Sequence, residues 1–113
     1  MGSVKYKKIS DETVLVYLNV LIGKIYKILC MMEEKDPTLN VYVASLNHEI
    51  SGLHNMFYDE GDKKTVLQML LILEPFANSQ TDFPHDVYKR EIFKCIDLVN
   101  KIIHRKEGEI SVF

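Results

Sequence analysis

Apolar residues recur at intervals of three and four from about Asp86 to Lys106, and this repeat constrains the fold most. Intervals of three and four match the 3.6-residue turn of an α-helix, so the segment is predicted to form an amphipathic helix. Its apolar face consists of Tyr88, Ile92, Cys95, Ile96, Val99, Ile102 and Ile103. Such a face is stable in water only when another element covers it. The rest of the chain is therefore expected to supply that cover.

A second segment, from about Pro37 to Tyr58, has the same period. Its predicted core face consists of Leu39, Tyr42, Val43, Leu46, Ile50, Leu53 and Phe57. Asp36 is a favourable N-cap residue, and Pro37 suits the first helical position, where an N–H has no intrahelical partner. The connection to the preceding helix is very short, so the two helices are expected to be antiparallel neighbours.

The first helix is predicted over residues 11–35 and is strongly apolar. Asp11 is a polar residue of the type that begins helices. Asn19, Gly23 and Lys27 recur every four residues and form one narrow polar stripe. We therefore expect the rest of the protein to cover most of the circumference of this helix.

The third helix is predicted over residues 63–76, with Asp62 as its cap. Gln68 is the only polar residue between Val66 and Leu73. A helix that is apolar nearly all round must be buried on more than one side. Pro75 is expected to end or kink this helix, because proline lacks the N–H that an interior turn needs.

Together the segments predict an all-α fold, an antiparallel four-helix bundle with up-down-up-down topology and short terminal tails. The helices are expected at about 11–35, 37–58, 63–76 and 86–106. The longest loop is predicted from Asn78 to His85, and Gly108 is predicted to stop the last helix. A chain of 113 residues with five glycines and three prolines fits a single helical domain, 1–113, better than a many-stranded sheet.

Charge and cysteine content bear on the partner and the compartment. Fourteen basic and 16 acidic side chains give a net charge of −2, without the positive excess that supplies most nucleic-acid affinity. Cys30 and Cys95 lack metal-binding or redox spacing and are interpreted as thiols that pack inside the fold. A disulfide between their helices is the alternative. We expect a reduced, cytoplasmic protein.

The apolar run from Val14 to Ile22 faintly resembles a signal peptide, because basic residues precede it. However, Asp11 and Glu12 interrupt the approach, and no small-residue cleavage site follows. We therefore expect neither secretion nor a membrane span.

The sequence HEISGLH, from His48 to His54, at first resembles the metal-binding helix of zinc hydrolases. That helix needs two histidines four residues apart, and the residue four after His48 is Gly52. His54 lies six residues on, about 120° around the helix from His48. We predict two surface histidines and no metal site.

Catalytic and cofactor-binding patterns are not recognisable in this sequence. The acidic residues lack the Glu-x-x-His spacing with which helical bundles hold metals, and no glycine-rich phosphate loop is present. We therefore predict a protein that is not an enzyme and needs no cofactor. An apolar ligand held among Met31, Met32, Met56 and Met69 is a weaker alternative.

An apolar surplus on the third helix is the basis of the functional prediction. Its core-facing positions are expected to be Val66, Met69, Leu70 and Leu73. Leu67, Leu71 and Ile72 then lie on the flanks or back, where a lone bundle has no second layer to cover them. Exposed apolar patches mark interfaces, so we predict a non-enzymatic interaction protein that binds a protein partner or forms a homodimer.

A small regulatory, inhibitor, adaptor or immunity-type protein would act in this way. In size and helical pattern the chain is similar to small cytosolic bacteriocin-immunity bundles. The resemblance is one of architecture and assigns no role to any residue.

The alternative is a nucleic-acid-binding regulator. Its elements would be a helix-turn-helix-like segment over 48–70 and a basic face on the fourth helix. The basic residues of that face are Lys89, Arg90, Lys94, Lys101 and Arg105. We do not expect nucleic acid as the partner, because the third helix becomes apolar within one turn and leaves little surface to enter a groove.

Overall fold

The computed structural model describes residues 11–57, 59–78 and 84–110. They form four helices, α1 (Asp11–Glu34), α2 (Leu39–His54), α3 (Glu60–Ala77) and α4 (His85–Ile110). Tyr58 and most of the predicted loop, residues 79–83, lie outside the described residues.

Side-chain contacts show that consecutive helices are antiparallel. The Tyr17 hydroxyl on α1 donates to Glu49 on α2, and further along α1 the Lys24 carbonyl accepts from the hydroxyl of Tyr42, which precedes Glu49 in α2, at 2.8 Å. Arg105, near the end of α4, binds Asp59, the residue just before α3, at 2.8 Å. Asn40, near the start of α2, donates to the Phe76 carbonyl near the end of α3 at 2.9 Å. Each helix packs on the next and α4 packs on α1, while the diagonal pairs share no contact among the described residues. The predicted four-helix bundle is confirmed.

The predicted core faces of α2 and α4 are confirmed. All seven predicted residues of α4 are buried, and in α2 only Tyr42 is half-buried, because its hydroxyl reaches across to α1. Fully buried residues of α1 and α3 complete the core: Leu18, Leu21, Ile25, Ile28, Val66, Met69 and Leu73.

Helix α1 is less covered than its sequence predicts. Asn19, Gly23 and Lys27 are exposed as expected. Apolar neighbours are exposed beside them, namely Val16, Val20, Tyr26 and Cys30. Among the described helices α1 packs only against α2 and α4, so no other described helix covers its outward side. The prediction that most of its circumference is covered is therefore wrong.

The turn between α1 and α2 differs slightly from the prediction. Lys35 has a left-handed φ of 54°, and the Lys35 and Asp36 N–H groups donate to carbonyls in the last turn of α1. The Asp36 carboxylate accepts from the Thr38 N–H at 2.8 Å. Asp36 thus caps a short turn instead of the helix itself, and α2 begins at Leu39, two residues after Pro37.

Other helix ends also differ from the prediction, and α2 ends at His54, four residues before its predicted end. Helix α3 begins at Glu60 because Asp59 is its N-cap, accepting from the Asp62 N–H at 2.9 Å. Asp62 therefore lies inside the first turn. Helix α4 continues past Gly108 to Ile110, since a glycine inside a helix costs only about 1 kcal/mol and does not by itself stop it.

Glu49 links α2 to α1 through its side chain. Of the four pairs of helices in contact, α1 and α2 have the least extensive contact. The Glu49 carboxylate accepts from the Lys24 ammonium at 2.9 Å and from the Tyr17 hydroxyl. These two hydrogen bonds, the one from Lys24 first, hold the pKa of Glu49 below its ordinary value. Burial, and then the bond to Glu49, raises the pKa of the Tyr17 hydroxyl.

The lowered pKa of Glu49 predicts a pH-dependent stability. Because its folded pKa lies below its unfolded pKa, the carboxylate stabilises the fold above the unfolded value and loses this contribution as pH falls through the folded value. Glu49→Gln is therefore expected to destabilise the protein at pH 6, and the difference from wild type should shrink toward pH 3. Urea unfolding across this range measures it.

The matched control is Glu34→Gln, which removes an exposed carboxylate ten residues along α1 from Lys24. A Glu49→Gln deficit that is the same at pH 3 as at pH 6 would show that the glutamate contributes by packing and not by its charge.

Candidate protein-interaction surface

The outward side of α3 carries four exposed residues at intervals of three, four and three. We call these residues, Lys64, Leu67, Leu71 and Glu74, the α3 stripe. Leu67 is 48% exposed and Leu71 is 69% exposed. Alternating three- and four-residue spacing keeps side chains on one helix face and suits packing against another helix. The stripe is apolar at its centre, basic at its N-terminal end and acidic at its C-terminal end.

The opposite side of α3 packs into the core. Val66, Met69 and Leu73 are fully buried, as the sequence predicts. Leu70 and Ile72 are half-buried and pack against the core. The structure therefore brings Leu67 and Leu71 together on the outward side and places Ile72, the third predicted interface residue, off the stripe.

A shallow groove between α2 and α3 borders the stripe. Its walls are Asn47, Leu67, Leu70, Leu71 and Glu74. The Asn47 Oδ1 atom is buried and has no hydrogen-bond partner among the described residues. A buried acceptor without a donor lowers the stability of the fold. No pattern in the sequence singles out Asn47.

Asn40 fixes the C-terminal end of the stripe. Its side-chain amide donates to the carbonyls of Phe76, in the last turn of α3, and of Asn78, the C-cap residue. Pro75 lies inside α3, and the helix continues two residues beyond it to Ala77. Pro75 therefore does not end the helix at once, and Asn40 of α2 binds carbonyls that follow it.

Arg105 on α4 fixes the N-terminal end of α3. Its guanidinium binds the Asp59 carboxylate at 2.8 Å. The Asp62 N–H, and after it Arg105, lowers the pKa of Asp59. An added Cβ at Gly61 would lie 2.9 Å from both the Arg105 Nη1 atom and an Asp59 oxygen, so a larger residue there would displace the ends of these two side chains. The α3 stripe is thus held by α2 at one end and by α4 at the other.

Asp62 is the buried charge behind this attachment, with only 1% of its surface exposed. Its two oxygens lie 3.6 Å from Arg105 and 3.5 Å from Lys106. The Lys106 ammonium also lies 5.4 Å from the centre of the Phe57 ring. By residue type Asp62 was predicted only to cap the helix. In the structure its carboxylate lies between the cations Arg105 and Lys106.

Lys64 and Glu74 make no ion pair among the described residues. Both are exposed at opposite ends of the stripe. Their charges are therefore available to another molecule. Lys64 and Glu74 were not among the predicted interface residues. Lys64 lies three residues before Leu67 and Glu74 lies three residues after Leu71, so this spacing is visible in the sequence.

The five basic residues predicted to contact an anionic partner are all exposed on α4. Three of them lie near carboxylates: Arg105 at 2.8 Å from Asp59, Lys94 at 3.4 Å and Arg90 at 3.9 Å from Glu91. Lys89 and Lys101 complete the set. A phosphate would compete with acidic side chains for much of this surface.

The histidines and cysteines occupy different environments. His48 is exposed and His54 is half-buried at the edge of α2, consistent with their angular separation. No group of three potential metal ligands occurs among the described residues. Cys95 is buried, which raises the pKa of its thiol to about 12. Cys30 is exposed and both thiols are free, so interpreting Cys30 as a packing residue was wrong.

An apolar cavity of about 290 Å³ lies between α1 and α2. Its lining residues are Thr13, Val14, Tyr17, Glu49, Gly52, Leu53 and Met56. Among the four methionines considered for an apolar ligand, only Met56 lines this cavity, and Met31 and Met69 are buried in the core. The methionines do not gather around it.

By length and composition alone, one helix among the described residues, Glu12–Glu34, could cross a membrane. Core helices of soluble proteins and signal sequences have the same properties, and part of this helix is buried in the bundle. The absence of a membrane span therefore stays a prediction.

No family model, no curated protein and no solved structure matches this chain. A functional assignment must therefore come from the geometry and chemistry of its own residues.

Proposed function

We propose that this chain is a non-enzymatic protein-protein interaction module whose α3 stripe receives an amphipathic helix of another protein chain. It acts as a small regulator, inhibitor, adaptor or immunity-type protein in the cytoplasm. The exposed free thiol of Cys30 is consistent with a reducing compartment.

The exposure of Leu67 and Leu71 at the centre of the stripe is the observation that carries this proposal. Removing apolar surface from water is worth about 25 cal/mol per Å². About half of Leu67 and most of Leu71 remain exposed to water in the bundle. The three-four-three spacing matches the ridges of an incoming helix. Charged residues at both ends provide the polar border that interfaces usually have around an apolar centre.

A photo-crosslinking amino acid at Gln68, an exposed position beside the stripe, tests the proposal in native cells. An adduct with a protein chain is expected there and not at Lys101, an exposed position on α4. Leu71→Lys should abolish the adduct because it places a charge at the apolar centre. The same variant should change the free energy of unfolding by no more than about 0.5 kcal/mol, since Leu71 is mostly exposed.

Val41→Lys is the matched control, because Val41 is 72% exposed on α2 and lies outside the stripe. It should leave the adduct intact. Absence of an adduct at position 68, or an adduct that persists in Leu71→Lys, would overturn the proposed function. If Leu71→Lys instead greatly lowers the free energy of unfolding measured in urea, Leu71 belongs to the core.

A further inference from the structure

The distribution of charge along the α3 stripe identifies its occupant. We infer that this occupant is a second copy of the same chain, docked with its α3 antiparallel to the first around a two-fold axis. This inference rests on the proposed function and names the partner of the same surface.

The stripe is complementary to itself when its direction is reversed. Lys64 and Glu74 lie equally far from the midpoint of the stripe, and so do Leu67 and Leu71. With the two-fold axis at that midpoint, Leu67 packs on Leu71 of the second copy and Lys64 faces Glu74 of the second copy. Symmetry forms each contact twice, as in any isologous dimer. Four leucines then meet at the centre, flanked by two ion pairs.

A parallel arrangement is electrostatically unfavourable. It would place Lys64 beside Lys64 of the second copy and Glu74 beside Glu74 of the second copy. Like charges that face each other across an interface are repulsive, whereas the antiparallel arrangement pairs every charge with its opposite. Because Lys64 and Glu74 have no ion pair within the described residues, forming these pairs breaks no intramolecular salt bridge.

The size of the surface sets the expected strength. Alternating three-four spacing favours two helices crossing at about 20°. One helix pair, with the neighbouring α2 groove, is a small interface by comparison with the roughly 1,200–2,000 Å² of stable complexes. The dimer is therefore reversible, and its formation depends on protein concentration and on salt.

Charge reversal tests the register, with association measured by sedimentation across a concentration series at low salt. Lys64→Glu and Glu74→Lys should each weaken self-association by about tenfold or more, because each creates two repulsive pairs per dimer. Mixing the two variants should restore association, since each chain then carries the charges that the other needs. The doubly reversed variant should dimerise like the wild type. Both reversals suit the helix dipole of α3, so both variants should fold.

A wild type that stays monomeric throughout the series overturns the inference. So do single reversals that dimerise like the wild type, or a mixture that fails to associate. The crosslink at position 68 separates the two proposals. An adduct of twice 13.1 kDa supports the second copy. An adduct of another mass refutes the second copy and leaves the proposed function standing, whereas no adduct refutes the proposed function itself.

Discussion

Replacing Phe76 by alanine is expected to lower the free energy of unfolding by about 3–5 kcal/mol. Phe76 is the largest fully buried side chain of the described core, only 1% exposed. Truncation removes its buried apolar surface and leaves a cavity that the surrounding helices fill only in part. The residue also lies in the last turn of α3, where its carbonyl accepts from Asn40. Urea unfolding followed by circular dichroism measures the loss.

Phe93→Ala provides the matched control, because Phe93 is 40% exposed and its ring centre lies 6.1 Å from that of Tyr26, another exposed aromatic residue. Phe93→Ala should lower the free energy of unfolding by much less than Phe76→Ala does. If the two variants were equally stable, α3 would not be packed at its C-terminal end as the structure describes. The packing of Phe76 would then not be what holds the part of α3 that carries Leu71 and Glu74.

Replacing Asp62 by leucine is expected to cost about 3 kcal/mol, near the lower limit for removing one partner of a buried ion pair. The Asp62 carboxylate is buried between Arg105 and Lys106. Arg105 can keep its bond to Asp59, whereas the Lys106 side chain is only 13% exposed and loses the Asp62 carboxylate at 3.5 Å. Chemical unfolding measures the loss, and Asp97→Ala, at an exposed site on α4, is the control for a change of net charge.

The second replacement that completes this test is Lys106→Met. Removing both partners of a buried pair is often close to neutral, because no unpaired charge remains in the interior. The double variant Asp62→Leu/Lys106→Met should therefore be more stable than Asp62→Leu alone. If the second change only lowers the free energy of unfolding further, the cost of Asp62→Leu does not arise from the loss of the Asp62 carboxylate beside Lys106.

Core positions were predictable from the sequence because burial of a helix face leaves a period in the chain. The face of α4 from Tyr88 to Ile103 is buried throughout, and the face of α2 differs only at Tyr42. Helix ends were less predictable, because capping depends on which oxygen reaches which N–H. Asp59 and Asp62 are both good caps by residue type, and only the backbone path selects Asp59.

The sequence by itself determined the four helices and the core faces of α2 and α4, since these follow from the period of apolar residues. Only the tertiary structure decided which residues outside the core faces are covered. An apolar residue in the sequence does not show how many neighbours its helix has. In a square bundle each helix keeps an outward side, which exposes Val16 on α1 and leaves Leu67 and Leu71 between Lys64 and Glu74. Likewise Asp62 became a buried anion because the folded chain brings Arg105 and Lys106, more than forty residues away in sequence, to its carboxylate.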